Sequence, residues 1–176
     1  MSSNEWYTPS KYIEAAREVM GTIDLDPASC ELANQVVKAT KYYTKEDNGL
    51  MHPWYGNVWL NPPFGKTNNQ SNQAFFTRKL LRDYFTNSIK QAILLITPKN
   101  TAGYFQALWQ FPICFTNHNV IFYRPNGKWR DQMFGTCFIY LGPNEQKFIE
   151  VFSKFGRIAK AIDTPKPLPV ILELPF

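Results

Sequence analysis

The sequence predicts an α/β layered fold with a mostly parallel central sheet flanked by helices. Helical patterns alternate with short apolar strand patterns along most of the 176 residues, the signature of strands joined by crossover helices. The chain is 44% hydrophobic and 19% charged, with 14 Phe, 9 Tyr and 5 Trp, which excludes a mainly disordered chain. Its length suits one ordinary domain, assigned to residues 1–163, with a proline-rich tail over 164–176. No stretch approaches the roughly 18 apolar residues that span a bilayer. The start, Met1 to Glu5, lacks the basic and apolar regions of a signal peptide. The expectation is a compact, soluble, cytoplasmic protein with no membrane partner.

Each element has a local reason. Pro9 to Met20 reads as a helix, with Thr8 suited to the N-cap, Pro9 to the first helical position, and Ile13, Ala16 and Met20 on one face. Gly21 can stop it. Thr22 to Asp26 alternates and ends at Pro27, a short strand with Asp24 and Asp26 toward its end. Ala28 to Lys38 reads as helix and Lys45 to Gly49 as a turn. Asn57 to Leu60 is an apolar strand, and Lys66 to Gln73 is polar and loop-like. Ala74 to Tyr84 is a helix whose Arg78, Lys79 and Arg82 form a basic, solvated face. Gln91 to Ile96 is a buried strand closed by Pro98, and Thr101 to Trp109 a short helix. Ile113 to Thr116, Val120 to Tyr123 and Gly135 to Leu141 are further strands, and Asn144 to Phe155 is a helix. In such sheets, ligands gather at the carboxyl ends of the strands.

Charge and cysteines narrow the partners. Lys plus Arg is 19 against 14 for Asp plus Glu, a net charge of +5 that favours anionic partners such as nucleic acid. Cys30, Cys114 and Cys137 are odd in number and widely spaced, and His52 and His118 lie far apart. No metal-ligand spacing exists, so no metal is expected and the cysteines read as reduced interior residues.

Asn61-Pro62-Pro63-Phe64 is the most specific feature. The prolines fix the backbone and remove two N–H donors. The Pro62 carbonyl and the Asn61 side-chain oxygen are then two acceptors side by side, and Phe64 offers a flat face. Two acceptors and a ring suit a planar group bearing –NH₂, such as adenine. Accepting both N–H groups localises and aims the nitrogen lone pair, and the ring stacks on a base turned out of its duplex. Asn and Pro also make ordinary turns. The position directly after Val58-Trp59-Leu60 favours the functional reading. Arg124 to Arg130 is a cationic turn with an aromatic between two strands, fit to grip phosphates.

These residues resemble a known family. Trp6-Tyr7-Thr8-Pro9, then Asp24-Leu25-Asp26-Pro27-Ala28-Ser29, then Val58 to Gly65 occur in the order found in the small phage-type, Dam-like DNA N6-adenine methyltransferases. The resemblance covers roughly residues 5–140. It implies a Rossmann-like class I methyltransferase fold, S-adenosylmethionine as cofactor and DNA as substrate, duplex or single-stranded, in a bacterial or phage-infected cell. It implies that Asn61, Pro62, Pro63 and Phe64 form the catalytic motif. Tyr7, Thr8, Pro9, Asp24, Asp26, Pro27, Ala28, Ser29, Asp47 and Asn61 would hold the cofactor. Lys66, Arg78, Arg124, Lys128 and Arg130 are the expected DNA-facing cations, and site choice rests on the loops Lys66 to Gln73 and Arg124 to Asp131. A monomer or weak homodimer is expected. The sequence departs from most such enzymes in having no glycine-rich first motif, and Pro27-Ala28-Ser29 stands in that place. The same motif chemistry also fits RNA or a protein glutamine as substrate, and the missing glycines fit a degenerate fold that only binds DNA.

Overall fold

The computed structural model describes residues 6–124, 129–131 and 135–163. In chain order the elements are α1 (Ser10–Met20), β1 (Leu25–Asp26), α2 (Glu31–Val37), β2 (Lys41–Tyr42), β3 (Gly56–Leu60), β4 (Lys66–Thr67), β5 (Gln70–Ser71), α3 (Asn72–Phe85), β6 (Ile89–Ile96), α4 (Gly103–Gln106), β7 (Ile113–Thr116), β8 (Ile121–Tyr123), β9 (Trp129–Asp131), β10 (Cys137–Leu141), α5 (Glu145–Phe152) and β11 (Gly156–Ala159). Seven strands form one sheet in the order β11-β7-β10-β6-β3-β1-β2. No described helix is long and apolar enough to cross a membrane.

Alternation along the central strands sends side chains to two faces. Ala92, Leu94 and Ile96 pack with Leu80 and Leu81 of α3 and with Phe105 of α4. Ile93 and Leu95 pack on the other face with Ile13 and Ala16 of α1 and with Phe148 and Phe152 of α5. The result is three layers, helix–sheet–helix, with a core on each side of the sheet.

The expected parallel sheet is half of what forms. β2, β1, β3 and β6 pair in parallel. β10 runs antiparallel between β6 and β7, and β11 pairs antiparallel with β7. The sheet is therefore mixed. β1 pairs with β2 on one side and β3 on the other. The chain thus goes from β1 to one neighbour and returns to the opposite one. Ligands in open α/β sheets bind beyond the carboxyl ends of strands at such a reversal. Here those ends are Asp26-Pro27 and Asn61-Pro62.

Several local expectations are corrected. Pro9, not Thr8, is the residue before α1, and no side chain caps that helix. Thr8 is buried and its hydroxyl is engaged elsewhere, as shown below. α2 starts three residues later than expected, at Glu31, because Cys30 caps it by accepting the Ala33 N–H through Sγ. Cys30 is only half-buried, whereas Cys114 and Cys137 are interior. Lys66 to Gln73 is a β4–β5 hairpin running into α3 rather than a loop. The last helix stops at Phe152, which frees Gly156–Ala159 to add an edge strand. The strand β2 was not expected, because two half-exposed polar residues give no apolar run. The 164–176 tail lies outside the described residues.

The basic face of α3 is not a solvated one. Lys79 is 4% exposed. Its ammonium lies 2.9 Å from the Asp83 carboxylate and 5.1 Å from the centre of the Trp54 ring. Arg82 reaches the other Asp83 oxygen at 3.1 Å. Removing one partner of a buried pair leaves a charge without compensation. Asp83→Ala is therefore expected to cost about 3 kcal/mol, with Lys79 left buried beside Trp54. A urea unfolding midpoint that did not move would show that Lys79 finds water.

Candidate active site

The site is built where β3 ends and the N-terminal segment lies across it. Tyr7 pairs with Tyr123 in a two-bond antiparallel bridge, its N–H donating to the Tyr123 carbonyl at 2.9 Å and its carbonyl accepting at 3.0 Å. The Cys30 thiol donates to the Tyr7 hydroxyl at 3.4 Å. Residues 6–9 therefore form a strap held at one side by β8 and at the other by the start of α2. Pro9 is buried at its end, where α1 begins.

Asn61 follows β3 directly under this strap. Its side-chain Nδ2 donates to the Trp6 carbonyl at 3.0 Å and to the Thr8 hydroxyl at 3.3 Å. Those two acceptors fix which way the amide faces. The opposite atom, Oδ1, is buried and has no hydrogen-bond partner among the described residues. A buried acceptor left without a donor costs about 1–3 kcal/mol. Such exceptions call for an explanation, and a missing ligand donor is one. An asparagine serving only as a turn residue would bond its own backbone.

Phe64, three residues after Asn61, belongs to an aromatic cluster with the strap residue Trp6. Phe64 meets Trp6 edge-on at 6.0 Å and Phe122 edge-on at 6.2 Å. Trp6 and Phe122 meet edge-on at 6.0 Å. The guanidinium of Arg124 sits 5.2 Å from the Trp6 ring centre, and its buried Nε has no partner among the described residues. Pro62 is buried and Pro63 exposed.

Asp26 ends β1 on the other side of the reversal. It is 3% exposed. Burial pushes its carboxyl up to about 7, opposed by the Ala28 N–H at 3.2 Å and by the Ser29 side chain. Among the described residues no cation pairs with it. The amides of the following turn are already used, since Ala28 N–H goes to Asp26 and Ser29 N–H to the Tyr43 carbonyl at 2.9 Å. A glycine-rich loop would offer such amides to a ligand, whereas here side chains remain. Gly49 packs on the Pro27 carbonyl so closely that a Cβ there would collide with it.

The expected residues divide clearly. Tyr7, Thr8, Pro9, Asn61, Pro62, Phe64 and Arg124 are brought together, and Asp26, Pro27, Ala28 and Ser29 flank them at the end of the neighbouring strand β1. Asp47 is exposed, with its carboxylate held by the Thr44 N–H at 2.8 Å and the Thr44 hydroxyl at 2.9 Å. Those bonds hold its carboxyl below the usual range. Its turn adjoins Pro27 through Gly49.

Asp24 lies apart from the others. It takes the Asn57 N–H at 2.9 Å and the Thr22 hydroxyl at 2.9 Å. Asn57 is at the start of β3, so Asp24 sits at the amino ends of the strands, away from Asn61. Alternation placed it with Asp26, but two residues of rise moved it to the far edge.

Lys66 is exposed on the hairpin and Arg78 half-buried on α3. Lys128 lies outside the described residues, as does the Arg130 side chain. Trp6 and Phe122 carry more of the site than the sequence reading gave them. A carbonyl acceptor at Trp6 leaves no trace in residue type, and Phe122 reads as an ordinary core strand residue.

Compared with known families, residues 2–132 match the one described as DNA N-6-adenine-methyltransferase (Dam). No curated protein and no solved structure matches. The matched stretch holds the strap, Asp26, Asn61 to Phe64 and β8, and it is most of the chain. The chain belongs to the DNA N-6-adenine-methyltransferase (Dam) family.

Proposed function

We propose that this protein transfers a methyl group from S-adenosylmethionine to the 6-amino group of an adenine turned out of DNA. The observation that carries the reading is the Asn61 oxygen, buried without a donor while its own amide is tied to Trp6 and Thr8. The six strands β2, β1, β3, β6, β10 and β7, with β10 reversed, support a Rossmann-like class I methyltransferase sheet.

When bound, S-adenosylmethionine supplies a methyl group on a positive sulfonium. The chain's residues do the rest by positioning. Asn61 Oδ1 accepts one N–H of the target amine and the Pro62 carbonyl accepts the other, which aims the nitrogen lone pair. Phe64 stacks on the extruded base. Transfer is direct, with no covalent enzyme intermediate. No basic side chain is needed at Asn61, because the nitrogen becomes acidic as it is alkylated and water takes its proton. Asp26, buried without a cation, fits the cationic part of the cofactor. Ser29, Tyr7 and Thr8 line the path between Asp26 and Asn61 by their place in the chain.

The test is tritiated-methyl transfer to unmethylated duplex DNA, with RNA and protein as parallel acceptors, then digestion to nucleosides and mass spectrometry. N6-methyladenine in the DNA is the expected product. Label in RNA or protein alone would reassign the substrate, and no label anywhere would leave a DNA-binding fold.

Arg124 lies over the Trp6 ring of the aromatic cluster. A guanidinium held on an indole face with a free Nε fits a backbone phosphate. Arg124→Ala is expected to weaken DNA binding and to flatten its salt dependence by about one phosphate contact. An unchanged salt slope in filter binding would take Arg124 off the DNA surface.

A further inference from the structure

The β4–β5 hairpin has features that a plain surface turn does not need. Its register is Lys66 opposite Ser71 and Thr67 opposite Gln70. Asn68 and Asn69 form its two-residue tip, with φ of 50° and 61°. Both angles are left-handed, as a tight type I′ hairpin requires, and asparagine tolerates them. The base is tied twice: the Asn72 N–H donates to the Gly65 carbonyl at 3.1 Å, and the Thr67 hydroxyl donates to Asn72 Oδ1 at 2.7 Å. The hairpin leaves the site at Gly65, one residue after Phe64.

Every residue from Lys66 to Gln70 is exposed, and none is apolar. A lone two-stranded hairpin of this size gains little stability by itself. Its tight, doubly tied geometry and its wholly hydrogen-bonding surface point outward, to a partner. A major groove about 12 Å wide admits a two-stranded ribbon, and asparagine and glutamine amides pair with adenine edges there. At about 3.3 Å per residue, three residues reach roughly 10 Å beyond Phe64. That spans about three base-pair steps of 3.4 Å.

We infer that the 66–71 hairpin enters the major groove beside the extruded adenine and reads the adjacent base pairs through Asn69 and Gln70. The inference rests on Asn61 holding that adenine. It makes the hairpin the determinant of sequence choice, with Lys66 on a flanking phosphate.

Asn69→Gly keeps the turn, since Asn-Gly is the favoured type I′ pair, while removing the amide. Gln70→Ala removes the other. The wild-type protein and the double variant are each given a random pool of duplexes containing one fixed adenine. Bound duplexes and methylated duplexes are sequenced separately. The expected result is a wild-type preference within three base pairs of the adenine that drops about tenfold or more in the variant. Lys66→Ala should lower affinity evenly across sequences.

A variant with the wild-type binding preference would overturn the inference, as would a wild-type protein with no preference near the adenine. The two readings fail separately. Methylation with unaltered preference removes the hairpin's role and leaves the activity. A lost binding preference without any methylation leaves the hairpin on DNA and removes the activity.

Discussion

Asn61→Ala is expected to lower methyl transfer to DNA by about 10²–10³-fold, the usual cost of losing one preorganised group at a reacting centre. Folding should change little, because the alanine gives up two bonds at the edge of the strap while also removing an unsatisfied buried oxygen. Cofactor affinity should stay near the wild-type value, since Asp26 lies on the neighbouring strand, β1. Asn61→Asp separates the two ends of the side chain. It keeps an acceptor for the target amine but has no donor for Trp6 and Thr8. It should therefore retain more activity than the alanine variant and less than the wild type. Near-wild-type turnover of Asn61→Ala in a single-turnover assay would remove Asn61 from the reaction.

The second large effect is at Asp26. Its carboxyl is pushed up to about 7 by burial. The folded state therefore holds a proton that the unfolded chain, with an ordinary value of 3.8, releases earlier. Stability without cofactor should be highest below about pH 4, fall as pH rises to about 7, and then level off. Asp26→Asn has no proton to lose, so its stability should stay flat over that window and exceed the wild type's at pH 8. Cofactor affinity should move the other way. A cationic ligand group needs the carboxylate, so affinity should rise about tenfold per pH unit up to about 7. In Asp26→Asn it should be weaker and flat. Isothermal titration from pH 5.5 to 8.5 measures this. A pH-independent wild-type affinity would mean that Asp26 meets a neutral group.

The fold was legible where pattern alone decides structure. Ile13, Ala16 and Met20 gave α1 its face, and the unbroken apolar run Gln91 to Ile96 gave the central strand. Pairing direction was not legible, because Cys137–Leu141 reads the same whether parallel or antiparallel. Lys79 could not be placed either. Spacing put it with Arg78 and Arg82, but Asp83 and the distant Trp54 gave it an interior position. At the site, Asn61 to Phe64 stood out because two prolines after a strand constrain the backbone strongly. Thr8 was half-read: a helix cap and an acceptor for Asn61 demand the same hydroxyl, and only the fold shows which bond it makes. Asp24 and Asp26 looked equivalent in sequence, yet one residue of Leu25 between them separates a strand-edge clamp from a buried carboxyl.

The strap also dictates when the active site can exist. Asn61 is oriented by Trp6 and Thr8, and their segment is pinned by Tyr123. On the ribosome, a segment made long before β8 thus waits for that strand to find its place. A nascent chain carrying the full Asn-Pro-Pro-Phe motif still lacks the strand that holds Tyr7 until β8 has been synthesised. Partial translation products should therefore be catalytically silent whatever DNA they touch, and activity should switch on only after β8 emerges.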